Sequence, residues 1–340
     1  MYEIIDVCKI NKQYKILKRN GGILGSIRDL FSKNYSIVNA VSDLSFTVKS
    51  SEIVGFLGPN GSGKSTTIKM MTGIIKPTSG KILINGIEPY KHRTEIAAEV
   101  GVVFGQRTQL WWSLPVKESL KVIKEMYGLD DITYKRNIKL FERLTNVKDL
   151  YDMPVRQLSL GQRTLCEILA TFLHNPKIVF LDEPTIGLDI SVKEKLHNLI
   201  TELNRIMNTT VIVTSHDMSD IEAMCNRVII INKGEKIYDC NINELKVSFS
   251  KYRSIRTLLN SENDFDHIVF EIKNSYESKI VNINRDGKWV EFIVDESEIE
   301  VCEVLEKLCK MRAFTDIAVK EIDIENIIKK IYEGNRDDSN

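Results

Sequence analysis

Residues 53–66 read IVGFLGPNGSGKST, and this stretch decides the fold. An apolar run, 53–57, enters a loop of Gly58, Pro59, Asn60, Gly61, Ser62, Gly63, Lys64, Ser65 and Thr66. Gly58 and Gly63 bracket four residues, and Lys64 and Ser65 follow, which satisfies G-x-x-x-x-G-K-[ST]. Glycines let successive backbone N–H groups turn inward around an anion. Helical spacing follows at once, with Ile68, Met71 and Ile75 near one face. A helix start therefore aims its positive end at the same anion. Strand, loop and helix in this order predict a parallel α/β core with a phosphate cradle at a strand end. Lys64 is expected to reach the β and γ oxygens of a nucleotide as a point charge, and Ser65 to ligate Mg²⁺.

A metal and an attacking water need carboxylates, and the chain supplies two. The run 178–181, Ile-Val-Phe-Leu, ends in Asp182-Glu183 before Pro184. A buried strand that delivers acids at its C-terminal edge brings them beside the phosphate loop. Asp182 is expected to hold Mg²⁺ through its water, and Glu183 to accept a hydrogen bond from the attacking water. A third apolar strand, 211–214, leads into Ser215-His216-Asp217. A neutral imidazole there can hydrogen-bond the γ-phosphate, so His216 joins Glu183 as a catalytic candidate.

Other elements are read outward from these three. Strands are predicted at 2–10, 44–48, 80–85, 100–104, 228–231 and 236–238, with a tight turn at Asn232-Lys233-Gly234. A Gly- and Lys-rich loop after the first strand is expected to carry a short amphipathic piece at 27–31. Residues 116–150 turn helical and charged. The spacing of Val192, Leu196, Leu199, Leu203 and Ile206 predicts a helix over 191–206, with Ser191 and Glu194 as a capping box. Beyond 246 the predicted pieces are strands at 279–284, 289–294 and 316–320 and helices at 301–311 and 324–332. They describe a small α+β domain.

Composition excludes several classes. Forty-seven Lys and Arg balance 47 Asp and Glu, so bulk charge gives no case for nucleic-acid binding. No run of 18 apolar residues spans a bilayer, and the first ten residues do not read as a secretory signal. Six scattered cysteines form no C-x-x-C pair and are expected to be reduced and mostly buried. Cys302 and Cys309, seven apart, are expected to pack into a core.

Leu158-Ser159-Leu160-Gly161-Gln162 completes a pattern. Ser159 with Gln162 three residues on is itself a capping box, and a helix start of this kind is an anion site. Together with GPNGSGKST and the Asp182-Glu183 strand end, it resembles the LSGGQ signature of ABC transporter ATP-binding subunits, with Leu160 where the family usually has Gly. The resemblance covers residues 2–244. It implies a P-loop NTPase core with an inserted helical subdomain at about 110–170, making residues 1–245 the ATP-binding domain and 246–340 an accessory α+β domain. It implies ATP and Mg²⁺ as cofactors and ATP hydrolysis as the activity. It also implies that Gln106 senses the metal and attacking water, that Asp189 contacts an opposite subunit, and that Ser159, Gly161 and Gln162 close over that subunit's nucleotide. An aromatic should stack on adenine; Tyr14 is the first choice and Tyr35 the second.

The runs GVVFGQRTQLWW (101–112) and LPVKESL (114–120) are similar to those of ATPases paired with ABC-2-type permeases, mostly exporters. The implied partners are a second ATP-binding subunit, with a homodimer the simpler arrangement, and a separate permease of that type. The implied location is peripheral, on the cytoplasmic face of the membrane. Trp111, Trp112 and Leu114 are expected to line a groove for a permease helix or to pack inside the helical subdomain. The competing reading is a soluble ABC-type ATPase that works without a permease. The C-terminal domain is expected to support the dimer or to bind an effector.

Overall fold

The computed structural model describes residues 2–17, 35–105, 108–261, 263–276 and 279–321. Gln106, the amphipathic piece expected at 27–31 and the helix expected at 324–332 lie outside the described residues. The chain divides into two compact units, Met1–Ile242 and Asn243–Asn340.

The first unit holds strands β1 (Glu3–Leu17), β2 (Tyr35–Lys49), β3 (Ile53–Leu57), β4 (Ser79–Ile84), β5 (Val100–Phe104), β6 (Ile178–Asp182), β7 (Thr210–Ser215), β8 (Arg227–Asn232) and β9 (Glu235–Asn241). Six of them form one sheet in the order β5-β6-β7-β3-β8-β9. The first five are mutually parallel and β9 closes the edge antiparallel. Every residue of β6 and β7 is buried, as expected for parallel strands covered on both faces. The remaining three make an antiparallel sheet, β2-β1-β4. One hydrophobic core unites the two sheets, and the Phe46 and Phe56 rings meet across it at 5.6 Å.

Helices α1 (Lys64–Met71), α2 (Arg93–Glu99), α3 (Val116–Met126), α4 (Asp131–Leu144), α5 (Leu160–Phe172), α6 (Ile190–Met207) and α7 (Met218–Met224) complete the unit. α3, α4 and α5 all lie between β5 and β6 in sequence, so a helical insertion separates two strands that pair side by side. The architecture is the α/β P-loop core expected from 53–66.

Three local expectations change. β1 and β2 run well past the predicted ends, as a long hairpin in which Tyr14 faces Val38 and Leu17 faces Tyr35. The extension lacks the apolar–polar alternation that marks a strand, because Tyr14, Ile16, Ile37 and Val38 are all exposed and no core selects a face. The cap of α6 is Asp189, whose Oδ1 accepts from the Val192 N–H at 3.0 Å, so Ser191 and Glu194 are not its capping box. Of the six free cysteines, Cys8, Cys302 and Cys309 are exposed.

The second unit, entered through α8 (Ile242–Phe249), contains β10 (Tyr252–Leu259), α9 (Asp264–Tyr276), β11 (Ile280–Asp286), β12 (Trp289–Asp295), α10 (Val301–Met311) and β13 (Phe314–Glu321). The antiparallel order β11-β12-β10-β13 makes it a split βαβ, or ferredoxin-like, unit. β10, its central strand, and α9 were not foreseen; buried Ser254 and Thr257 mask the apolar pattern of β10. Both helices share one core with the sheet: Ile268 and Ile272 from α9, Val304 and Leu308 from α10, and Ile255, Val290 and Phe292 from the strands. α10 buries the 304/308 face, which leaves Cys302 and Cys309 on its flank.

Candidate functional site

Parallel pairing fixes where the candidate groups meet. Leu57 stands opposite Ser215, and Asp182 opposite Thr214. The loop after β3, the acids ending β6 and the histidine after β7 therefore share the C-terminal edge of the sheet. β7 lies between the other two strands, so the histidine strand is wedged between cradle and acids.

In the cradle, Gly61 and Gly63 have φ of 82° and 106°, a region that side chains other than glycine rarely adopt. A Cβ on Gly63 would come within 2.5 Å of the Ala40 carbonyl oxygen, so the second strand of the hairpin presses directly on the loop. α1 begins at Gly63 with no side-chain cap, which leaves its first N–H groups free to meet an anion. The Ser62 hydroxyl is buried and has no hydrogen-bond partner. A buried orphan donor beside an uncapped helix start fits a phosphate oxygen as the missing partner. Ser65 is exposed at the same helix start.

Lys64 is buried. Its Nζ donates to the Gly58 carbonyl at 2.6 Å and to the Pro59 carbonyl at 3.2 Å, and lies 3.6 Å from Glu183 Oε1. Burial lowers its pKa, and the Glu183 and Asp182 carboxylates pull it back up. Asp182 is buried too, and its Oδ1 accepts from the Thr214 hydroxyl at 2.7 Å. Glu183 has φ of 53°, left-handed backbone that costs a non-glycine residue roughly 1–2 kcal/mol. Its N–H donates to Thr214, to Oγ1 at 3.0 Å and to the carbonyl at 3.2 Å, which holds the turn. The side chain is thereby aimed at Lys64 on one side and His216 on the other, with Nδ1 3.5 Å from Oε1.

The strap behind His216 was missed in the sequence. Asp217 caps α7 through the Ser219 N–H at 2.9 Å and pairs with Lys193 Nζ at 3.0 Å. Lys193 also meets buried Asp220, which accepts from the Thr185 hydroxyl at 2.6 Å and lies 3.3 Å from His197 Nε2. Burial pushes the Asp220 carboxyl up, but its bonds to His197, Thr185 and Lys193 outweigh that and hold it down to about 2. Lys193 and His197 sit four apart on α6, a spacing visible in the sequence; their acidic partners become visible only when α6 packs on α7.

At the signature, the capping box forms as expected. Ser159 Oγ accepts from the Gln162 N–H at 3.2 Å, and Gln162 Oε1 accepts from the Ser159 N–H at 2.9 Å. Gly161 is set by close approach: a Cβ would meet Val192 Cγ1 at 2.8 Å, so this helix start packs on the start of α6. Leu160 is part-exposed, and its Cδ2 would touch a Cβ placed on Gly187 at 3.4 Å. A small cleft joins Leu160, Arg163 and Glu167 of α5 to Glu183 and Ile186. Asp189 is exposed. Tyr14 and Tyr35 are both part-exposed on the hairpin. Tyr14 pairs with Val38, two residues from the Ala40 that abuts Gly63, whereas Tyr35 lies five residues away.

Comparison with known proteins gives the family. Residues 41–186 match the family model described as ABC transporter. The chain is 34% identical over 208 residues to the ABC transporter ATP-binding protein NatA of Bacillus subtilis (strain 168), covering 61% of this chain and 84% of that protein. It is 31% identical over 258 residues to the bacitracin transport ATP-binding protein BcrA of Bacillus licheniformis, covering 75% and 81%. In fold it matches a dimeric structure of the ATP-binding cassette MJ0796, in a post-hydrolysis state bound to ADP and Pi. That match has a TM-score of 0.57 at 23% identity and covers 70% of this chain and 98% of that one.

Proposed function

This chain belongs to the ABC transporter family as an ATP-binding, ATP-hydrolysing subunit, and we propose that it powers export through a separate ABC-2-type permease, as half of a homodimer on the cytoplasmic face of the membrane. Subunits of this family pair with a membrane permease and with each other. No helix among the described residues is long and apolar enough to cross a membrane, and in the proposed complex the permease supplies the spans. The export reading rests on the similarity of 101–120 to the ATPases of exporters.

The 3.6 Å approach of Lys64 Nζ to Glu183 Oε1 carries the assignment of roles. It sets the cation intended for the γ-phosphate beside the carboxylate intended for the attacking water. Gly58, Pro59, Asn60, Gly61, Ser62, Gly63 and Thr66 line the cradle. Ser65, Asp182 and Gln106 take the metal. Among the described residues no three His, Cys, Asp or Glu side chains gather to hold a metal unaided, which suits an Mg²⁺ that rides largely on phosphate oxygens. That ion would neutralise charge developing on the β and γ oxygens. Glu183 positions the water and His216 braces the γ-phosphate. Tyr14, nearer in register to Gly63 than Tyr35, stacks on adenine.

Ser159, Gly161 and Gln162 close over the partner subunit's nucleotide, and Asp189 contacts that subunit. Ser159 and Gln162 hold the helix start rigid through their reciprocal bonds, so its dipole end is preorganised for the γ-phosphate. Hydrolysis removes the charge bridging the two subunits and the pair opens. Trp111, Trp112 and Leu114, all part-exposed, suit the permease groove better than a closed core. The ferredoxin-like unit supports the dimer. Glu183→Gln should keep ATP binding and trap a closed dimer in sizing chromatography with ATP. A variant that stays monomeric with full turnover refutes the assignment.

A further inference from the structure

Glu167 lies on the buried face of α5, among Cys166, Ile168, Leu169 and Phe172, and is 5% exposed. A carboxylate in that position is costly unless it is fully bonded. Its partners all come from the segment that follows Gln106. The Thr108 hydroxyl donates to Oε1, and the Gln109 N–H donates to Oε2 at 3.1 Å. Gln109 Nε2 donates to the Glu167 carbonyl at 3.1 Å and to Thr171 Oγ1 at 2.5 Å. Thr108 Oγ1 in turn accepts from the Leu110 N–H at 3.1 Å. One turn before Glu167 on the same helix, the Arg163 guanidinium lies 5.5 Å from the centre of the Trp112 ring. Burial pushes the Glu167 carboxyl up, while Thr108, the Gln109 and Leu110 N–H groups and Arg163 pull it back.

We propose that Glu167 is a positioning residue that fastens the segment after Gln106 to the signature helix, so that the Trp111–Trp112 end of the segment and the Ser159 end of the helix move as one body. An apolar side chain would fill the same space without desolvating a charge. What the carboxylate adds is two fixed bonds to a loop that otherwise lies exposed at Thr108 and Gln109. Through them a displacement of Trp112 reaches α5 as rotation or translation of the whole helix, and with it Ser159 and Gly161. Closure of the signature over a nucleotide travels back along the same bonds. The clamp stands on geometry alone; its consequence for turnover rests on the transporter-subunit reading.

The test uses the full chain with Trp289→Phe, which leaves Trp111 and Trp112 as the only tryptophans. Acrylamide quenching of their emission reads how firmly the segment is held. In Glu167→Ala and in Thr108→Val, quenching should rise about twofold, with Glu167→Gln in between, because its amide keeps one acceptor and loses the other. The KM for ATP should stay within about twofold while kcat falls about tenfold, the signature of an interaction that matters after binding. Unchanged quenching in both Glu167→Ala and Thr108→Val overturns the clamp. So does a glutamine variant no better than alanine with KM and kcat shifting together. Should Glu167→Ala fail to fold, Thr108→Val removes the same bond from the exposed side. A wild-type chain that hydrolyses no ATP would defeat the functional reading, and the quenching would still decide the clamp.

Discussion

His174 gives a prediction whose size can be worked from its surroundings. It follows α5, is buried, and stacks on the Tyr127 ring with centroids 3.8 Å apart and planes 16° apart. Burial pushes its pKa down from 6.5 to about 4, with the Val100 backbone pulling weakly the other way. In the unfolded chain the imidazole takes up a proton near pH 6.5; in the folded chain it resists until about pH 4. The folded state therefore binds fewer protons across that window. Its stability is complete above pH 6.5 and drains as the pH falls through the window towards 4. The total loss is about 3 kcal/mol, of which about 2 kcal/mol is gone by pH 5. His174→Phe keeps a ring against Tyr127 and removes the titration. Native-state hydrogen exchange of the α5 amides, compared as protection factors at pH 7.5 and pH 5, measures the effect. The wild type should lose about 2 kcal/mol more than the variant between the two conditions. Other ionisations occur in both proteins and cancel. Equal losses in both proteins would refute the reasoning, because they would mean that the imidazole titrates alike in folded and unfolded chains.

Two further outcomes follow from the site. Gly63→Ala should lose most ATP affinity by calorimetry, since its φ of 106° is joined by a Cβ 2.5 Å from the Ala40 carbonyl oxygen. Gly61→Ala, with φ of 82° and open space, should lose less, carrying only the roughly 1–2 kcal/mol of left-handed backbone; the reverse order would contradict the packing. Lys193→Met removes the cation shared by Asp217 and Asp220, so carboxyl NMR should find the Asp220 pKa raised from about 2 towards or above 3.8. It should also destabilise the chain at neutral pH by at most about 2 kcal/mol in urea melts, since part-exposed Lys193 shares Asp220 with Thr185 and His197, and by less as the pH falls below 3.8 and Asp220 protonates. An unmoved Asp220 would show that Thr185 and His197 hold it alone.

By itself the sequence determined the parts of this protein whose physics is local. The 53–66 run specified strand, anion loop and helix start, because glycine placement and an apolar pentad act within a few residues. Ser159 and Gln162 specified their own cap for the same reason. The acids at the end of β6 were legible from an apolar run that only a buried parallel strand tolerates, whereas the helical insertion was expected from the family resemblance and the charged helical spacing of 116–150. Tertiary structure alone decided what lies beside what. It wedged β7 between the cradle strand and the acid strand, and so made Thr214 the residue that holds both Asp182 and the strained backbone of Glu183. It moved the α6 cap from Ser191 to Asp189, since two capping residues on either side of Ile190 offer alternative helix starts until packing fixes where the helix begins. It joined Lys193 to acids 24 and 27 residues away, and Glu167 to donors 58 and 59 residues away. No periodicity encodes such pairs, because a buried charge is paid for by whichever donors the folded chain brings to it.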